Sequence, residues 1–184
     1  MIINQQVFQV NDLSYTIRSA NVNDAEALSE LRVRIDGETE NMDREKGEAF
    51  IDTAGFRQII NKDAESPRNL FLVAALDHAI VGYSRCEGVD LSRFAHKAEF
   101  GVCVLKDFWG HAIGRNLLQQ SLVWADDNDI TKLTLNVLET NEKAIKLYES
   151  FGFEIEGLLK NDRRHSDGKY YNTVIMGRFK GLLN

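Results

Sequence analysis

The sequence predicts one domain of the α+β, or mixed α/β, class. Its 184 residues are typical of a single domain, and no Gly-, Ser- or Pro-rich linker divides them. Apolar runs of strand length and helical patterns follow one another in the order β-α-α-β-β-β-α-β-α-β-β. This order contains both hairpins and helical crossovers, which is typical of the α+β or mixed α/β class.

The first residues are expected to lie outside the main domain, which spans residues 13–184. Residues 1–12 are polar with scattered apolar side chains, and they predict either a frayed arm or an added edge strand. Residues 13–17 alternate between apolar and polar side chains, which is typical of a half-buried strand. Asn23 and Glu26 resemble a capping box, and a helix is expected to follow them.

The middle of the chain predicts a charged loop, a helix and a β-hairpin. Residues 36–48 are strongly charged, which is typical of a loop, and a helix is predicted over residues 49–60. Residues 70–76 form a continuous apolar run of strand length. Asp77-His78 predicts a tight turn, after which residues 79–85 return as a second strand.

The C-terminal half predicts two amphipathic helices and four strands. The helices cover residues 113–125 and 141–151, where apolar side chains recur at helical spacing. Gly152 follows the second helix at the position of a left-handed terminal glycine. Strands are predicted over residues 98–105, 133–137, 154–157 and 170–179.

Composition and charge argue against several classes of function. Lys and Arg number 22 against 28 Asp and Glu, so the net charge of −6 argues against nucleic-acid binding. No apolar run reaches about 18 residues, and the N-terminus does not resemble a signal peptide, so no membrane partner is expected. Cys86 and Cys103 lie 17 residues apart without a Cys-x-x-Cys motif, which predicts a reducing cytoplasm. No histidine pair has metal-ligand spacing, so no metal is expected.

Residues 102–118 contain the first candidate site. A buried strand ends, a short loop carries Gly110 and Gly114, and a helix begins. Free N–H groups at a helix N-terminus form a seat for a diphosphate, and Arg115 adds a cation. The stretch is neither Gly-x-Gly-x-x-Gly nor a Walker loop, and on its own it also fits a plain β-α turn.

A second stretch, residues 141–157, resembles the signature of the GNAT (Gcn5-related) N-acetyltransferases. The matching elements are Asn141, Ala144, Leu147-Tyr148, Gly152-Phe153 and Glu156-Gly157. The loop at residues 109–115 resembles the acetyl-CoA loop of the same family and precedes this signature in the expected order. The resemblance covers roughly residues 14–179. It implies a single domain whose splayed central mixed sheet is flanked by helices and holds acetyl-CoA. It also implies direct transfer of an acetyl group to a primary amine.

The resemblance also implies roles for individual residues. Val102 and Val104 match strand positions whose backbone pairs with the pantetheine amides, and Asn141 matches a residue that contacts the pantetheine arm. Tyr148 matches the residue that protonates the departing thiolate. The other positions implied at the cofactor are Cys103, Trp109, Gly110, His111, Ala112, Ile113, Gly114, Arg115 and Ala144.

Two of these residues depart from the family pattern. Trp109 stands where Gln or Arg usually opens the loop, and Ala112 replaces the usual middle glycine. A methyl group at Ala112 is tolerated if φ there is negative, but it clashes if φ must be positive.

Direct transfer requires a general base, because an amine with a pKa near ~10 is mostly protonated at pH 7. Glu99 shares a strand face with Gly101 and Cys103 unless a bulge intervenes, and it is the candidate base or a solvated carboxylate. His165 is a second candidate, or a plain surface histidine. Asn136 stands where some relatives have a carboxylate, which closes that route. Cys103 could suggest an acyl-enzyme, but an apolar strand favours a core thiol.

The acceptor is expected to be a small cationic amine or a peptide or protein N-terminus. Residues 36–48 carry six carboxylates and two cations, which form either an acidic rim that attracts a cation or a solvated surface loop. Two alternatives stay open: a catalytically silent acyl-CoA-binding regulator, and an unrelated nucleotide-binding α/β domain. A homodimer is a further expectation.

Overall fold

Eight strands form one mixed sheet in the described residues, 2–77 and 79–180, of this computed structural model. The elements in chain order are β1 (Gln6–Val10), β2 (Leu13–Ser19), α1 (Ala25–Asp36), α2 (Thr53–Glu65), β3 (Leu70–Leu76), β4 (Ala79–Gly88), β5 (Lys97–Val104), α3 (Ile113–Asp127), β6 (Lys132–Leu138), α4 (Glu142–Ser150), β7 (Glu154–Arg164) and β8 (Tyr170–Phe179). The strand order in the sheet is β1-β2-β3-β4-β5-β6-β8-β7, and all neighbours are antiparallel except β5 and β6.

The helices cover both faces of the central strands. Phe56 of α2 packs against Phe71 of β3, with 6.5 Å between ring centroids. On the other face, Ser84 of β4 lies 3.3 Å from Ser121 of α3 through their hydroxyl oxygens. Side chains alternate along a strand, so α1 and α2 cover one face of the sheet and α3 covers the other. The apolar run of β3 is buried on both faces for this reason.

The predicted fold class and order of elements are confirmed, and the largest differences concern helix starts. The capping box is formed by Asn21 and Asp24 around a short 3-10 turn, so the assignment to Asn23 and Glu26 is wrong. The second helix begins at Thr53, later than predicted, because the Asp52 carboxylate accepts from the N–H of Gly55 and caps it there.

Other local predictions hold with changed lengths. Residues 6–10 form an edge strand on β2, which is the second of the two alternatives for the arm. Gly152 has φ +83° after α4, as its position predicts. β7 runs to Arg164 rather than ending near Gly157. Asp77 turns the β3–β4 hairpin with φ +52°, whereas His78 lies outside the described residues. None of the described helices is long and apolar enough to span a membrane.

Candidate active site

A large cleft opens where β5 and β6 separate. The two strands run parallel and pair only through residues 97–99 and 132–134. Within the described residues, no β6 partner is found for the remainder of β5, so one edge of residues 100–104 borders the cleft. The cleft has a volume of about 1350 Å³ and is lined by β4, β5, α4, the loop before α3 and the loop after α1.

The loop between β5 and α3 presents bare backbone to this cleft. Gly110 has φ +88° and Ala112 has φ +58°, and these left-handed residues turn the chain into α3. A Cβ at Gly110 would meet no atom within 4 Å, and one at Gly114 would meet only Val104 Cγ2 at 3.9 Å. No side chain of the described residues caps α3, so its first N–H groups carry the positive end of the helix dipole. This cradle fits a diphosphate.

The two residues that depart from the family pattern both shape this loop. Ala112 is left-handed, which is the conformation that strains its methyl group and costs about 1 kcal/mol. The indole Nε1 of Trp109 donates to the Val104 carbonyl at 2.9 Å and ties the loop to the end of β5. Trp109 also lines the cleft and stays 46 % exposed.

The two basic residues of the loop differ in position. His111 is not among the residues that line the cleft, and its carbonyl accepts from the Tyr15 hydroxyl at 3.2 Å. Its Nδ1 is buried and has no hydrogen-bond partner among the described residues. Arg115 does line the cleft, and its guanidinium lies 4.8 Å from the centroid of the Phe151 ring. Arg115 therefore supplies the cation at this loop.

Tyr148 is buried in α4 at the inner end of the cleft. Its ring packs edge-on against Phe100, at 6.5 Å between centroids, and against Phe153 at 5.8 Å. No hydrogen bond to its hydroxyl is found within the described residues. Burial, helped by the neighbouring Cys103, raises the pKa of Tyr148 to about 12. The phenol is therefore neutral at physiological pH, and the described part of the chain offers no acceptor for its hydrogen bond.

The beginning of α4 and the end of β5 border the same cleft. Asn141 Oδ1 accepts from the Ala144 N–H at 3.3 Å and caps the helix, so the carboxamide oxygen already has a donor. Asn141 and Ala144 line the cleft together with Val102, Val104 and Ile113. With the exception of His111, the cleft brings together all the residues that the sequence places at the cofactor.

One face of the β4–β5 ladder forms the floor of the cleft on the side away from the glycine loop. The register of these strands contains no bulge, so Glu99, Gly101 and Cys103 share a face as predicted. The facing residues are Glu87, Arg85 and Tyr83.

Glu99 is an exposed carboxylate in this floor. Its Oε1 accepts from Asn136 Nδ2 of β6 at 3.4 Å, and no ion pair of Glu99 is found among the described residues. Glu87, directly opposite, is bound by Lys62 and Arg85. Among the described carboxylates that line the cleft, Glu99 is thus the one without an ion-pair partner.

Cys103 also lines the cleft, but its thiol is not activated. Burial raises its pKa to about 11, so it carries almost no thiolate at neutral pH. Its Sγ lies 3.5 Å from the sulfur of Met42, in the loop after α1. Cys103 is thus a partly buried residue that packs against the core and also lines the cleft, and the preference for an unreactive core thiol agrees with the structure.

Most carboxylates of the loop after α1 are paired. Asp36 binds Arg44, Glu38 binds Arg34, Glu40 contacts His165, and Asp43 binds Arg163 at distances of 2.7–3.0 Å. Three of the six carboxylates therefore have an arginine partner, which reduces the charge available to form an acidic rim that attracts cations. The loop is also held in place, unlike a freely solvated segment.

His165, the second candidate base, lies in the β7–β8 turn. It stacks on Tyr171 at 4.4 Å between ring centroids and contacts Glu40, and it is not among the cleft-lining residues. Tyr83 and Arg44 line the cleft but are absent from the sequence-based prediction. The alternation of β4 could have indicated Tyr83, since it shares a face with Arg85.

The chain belongs to the GNAT acetyltransferase family. The family model, described as Acetyltransferase (GNAT) family, matches residues 35–153, which is well over half of the chain. The assignment made from the sequence is confirmed, and with it the class of enzyme, an N-acetyltransferase whose acyl donor is acetyl-CoA.

Individual relatives agree with this class. The L-amino acid N-acetyltransferase AaaT of Escherichia coli K12 is 30% identical over 118 residues, covering 64% of this chain and 72% of the relative. A GNAT acetyltransferase structure from Streptococcus pneumoniae superposes with a TM-score of 0.87 at 26% identity, over 90% of this chain and 99% of the other. YncA from Salmonella typhimurium, solved with acetyl-CoA, has a TM-score of 0.81 at 19% identity, over 92% and 96% of the two chains.

Proposed function

We propose that this protein transfers the acetyl group of acetyl-CoA directly to the primary amine of an acceptor. One observation carries the proposal: a single cleft joins the bare backbone loop before α3 to the hydroxyl of Tyr148, which has no hydrogen-bond partner among residues 2–77 and 79–180. The names of AaaT and of the YncA complex support it. The silent regulator gains no support, because mere binding does not require a buried donor at the inner end of the cleft.

The glycine loop and β5 would hold the donor. The N–H groups that begin α3 receive the diphosphate, and Arg115 adds a cation held over Phe151. The open edge of Val102 and Val104 hydrogen-bonds the amide-rich arm, in the manner of an added strand. Acetyl-CoA supplies an acetyl thioester whose thiolate leaves on transfer.

Tyr148 is the proposed acid. Its pKa of about 12 makes it a poor donor to a thiolate in water, since a thiol there has a pKa near ~8.5. Burial at this end of the cleft also raises the pKa of a sulfur group, since the pKa of the Cys103 thiol is raised to about 11. A leaving thiolate buried there would have its pKa raised for the same reason, which brings it closer to that of Tyr148.

Glu99 is the proposed base. Forming the neutral amine of an acceptor at pH 7 costs about 4 kcal/mol, so a positioned proton acceptor is needed. Glu99 is exposed to the cleft, and Asn136 holds one of its oxygens. Either direct contact or one bridging water would carry the proton to it.

Acetyl transfer is tested by following thiol release from acetyl-CoA with a panel of primary amines, including polyamines, amino acids and peptides with free N-termini. Mass spectrometry of the product should show the addition of one acetyl group to the amine. Calorimetry with acetyl-CoA measures donor binding separately. Acetyl-CoA binding without turnover on any amine would contradict the proposal.

A homodimer and a cytoplasmic location stay predictions, the latter supported by two free cysteines.

A further inference from the structure

A cationic corner borders the acetyl-transfer end of the cleft. Its residues are Met42, Arg44, Tyr83 and Cys103, called the Arg44 corner below, and all four line the cleft. Tyr83 lies directly opposite Cys103 in the β4–β5 ladder, and Met42 contacts Cys103 through the two sulfurs at 3.5 Å. Cys103 is also a neighbour that raises the pKa of Tyr148, so the corner adjoins the proposed acid.

Asp36 holds the guanidinium of Arg44 through two of its three nitrogens. Its Nε and Nη2 donate to the two oxygens of Asp36 at 3.0 and 3.1 Å, and the Asp36 side chain is only 2% exposed. Its Nη1 has no hydrogen-bond partner among the described residues. The neighbouring Asp43 is fixed by Arg163 at 2.7 Å, so the loop that carries Arg44 is anchored from the β7–β8 hairpin. The guanidinium is therefore oriented before any ligand arrives.

A second guanidinium makes the corner net positive. Arg32 of α1 is 7% exposed, and its Nη1 donates to the Ala49 carbonyl at 2.7 Å. No ion pair of Arg32 is found in the described part of the chain. Burial raises the pKa of Tyr83, whereas the positive charges of Arg32 and Arg44 lower it, so both charges act on this corner. Asp36 compensates Arg44 and Arg163 compensates Asp43, so Arg32 is left as the cation without a counter-ion among the described residues. A poorly solvated cation of this kind favours an anion nearby.

We propose that the acceptor carries a carboxylate beside its amine, as an amino acid does, and that Arg44 binds this carboxylate through its free Nη1. This inference rests on the proposed function and narrows the acceptor class. A polyamine would be repelled by the corner, and a peptide N-terminus has no carboxylate next to its amine. Gly101 leaves the floor open between Cys103 and Glu99, since a Cβ there would meet no atom within 4 Å. The amine can then lie on the side of Glu99.

The first test compares L-leucine, L-methionine and L-phenylalanine with their α-carboxamides as acceptors, with thiol release as the readout. The amide form has the less basic amine, so chemical reactivity alone favours the amide at neutral pH. We expect kcat/KM to favour the carboxylate form by about tenfold or more. Equal rates on acid and amide would overturn the inference and leave the proposed function standing. No turnover on any amine would instead contradict the proposed function.

Variants separate binding of the carboxylate from anchoring of the loop. Arg44→Gln should lower the acid-to-amide ratio of kcat/KM at least about tenfold, mainly through KM of the acid. Asp36→Asn removes the counter-charge but keeps the guanidinium, so the ratio should stay or rise. Lys46→Gln removes the same charge from the same loop outside the cleft and serves as the control. A purely structural Arg44–Asp36 pair predicts that both variants impair acid and amide equally, which would overturn the inference.

Discussion

Tyr148→Phe is expected to stop acetyl transfer without disturbing the fold. The hydroxyl has no hydrogen-bond partner among the described residues, so its removal leaves no other buried group unpaired. The ring keeps its packing against Phe100 and Phe153. We therefore expect the free energy of unfolding to change by less than about 0.5 kcal/mol.

The kinetic effect should be much larger than the effect on stability. A positioned general acid contributes about 10² or more, so kcat should fall by about 10², which corresponds to roughly 2.7 kcal/mol in the barrier. Steady-state thiol release at saturating acetyl-CoA and amine measures kcat, and a single-turnover experiment separates chemistry from product release. Tyr170→Phe makes the same change at a side chain that is 61% exposed and outside the cleft.

The pH dependence provides an independent check on the same residue. Tyr148 must be protonated to act, and burial raises its pKa to about 12, so this requirement is met at any lower pH. The rate should rise with pH as amine and base lose protons, without a falling limb from Tyr148 near neutrality. A kcat of Tyr148→Phe within roughly threefold of wild type would refute the assignment of Tyr148 as the acid. A fall in the wild-type rate above pH ~9 that disappears in this variant would refute the raised pKa of Tyr148.

Three further variants probe the loop and the thiol. Gly114→Asp should abolish acetyl-CoA binding in calorimetry, because the site has room for a side chain and the added negative charge lies where the diphosphate is expected. Gly114→Ala is the control, and retained affinity in Gly114→Asp would contradict the diphosphate site. Ala112→Gly should raise Tm by about 1–3 °C in a thermal melt, since glycine relieves the backbone strain at φ +58°. A lowered Tm would show that Ala112 is not strained. Cys103→Ser should keep kcat within about fivefold, because the thiol pKa is raised to about 11; an acetylated Cys103 trapped in the wild type would refute this.

The sequence predicts those parts of the site that depend on local spacing. Glu99, Gly101 and Cys103 fall on one strand face because the β4–β5 register has no bulge. Tyr148 lies one strand and one helix after the glycine loop, and the signature around it fixes its place in α4. Such relations survive in any fold that keeps the elements, so they can be predicted without knowing the tertiary contacts.

The remainder of the site depends on contacts between distant segments. The carboxylates of residues 36–48 suggest an acidic rim, but Asp43 and Glu40 meet Arg163 and His165, which lie more than 100 residues later. Arg44 enters the cleft only because the α1–α2 loop folds over β5. The left-handed conformation of Ala112 likewise follows from the turn into α3, and alanine itself does not favour it.

The position of β8 constrains the order in which the sheet can be completed. β8 follows β7 in the chain but lies between β6 and β7, and β7 pairs with no other described strand. A nascent chain that has emerged only as far as β7 therefore has nowhere to attach that strand. Deleting residues 170–179 should release β7 and, with it, the Arg163 side chain that binds Asp43. A deletion of β1, at the opposite border of the sheet, should be tolerated far better.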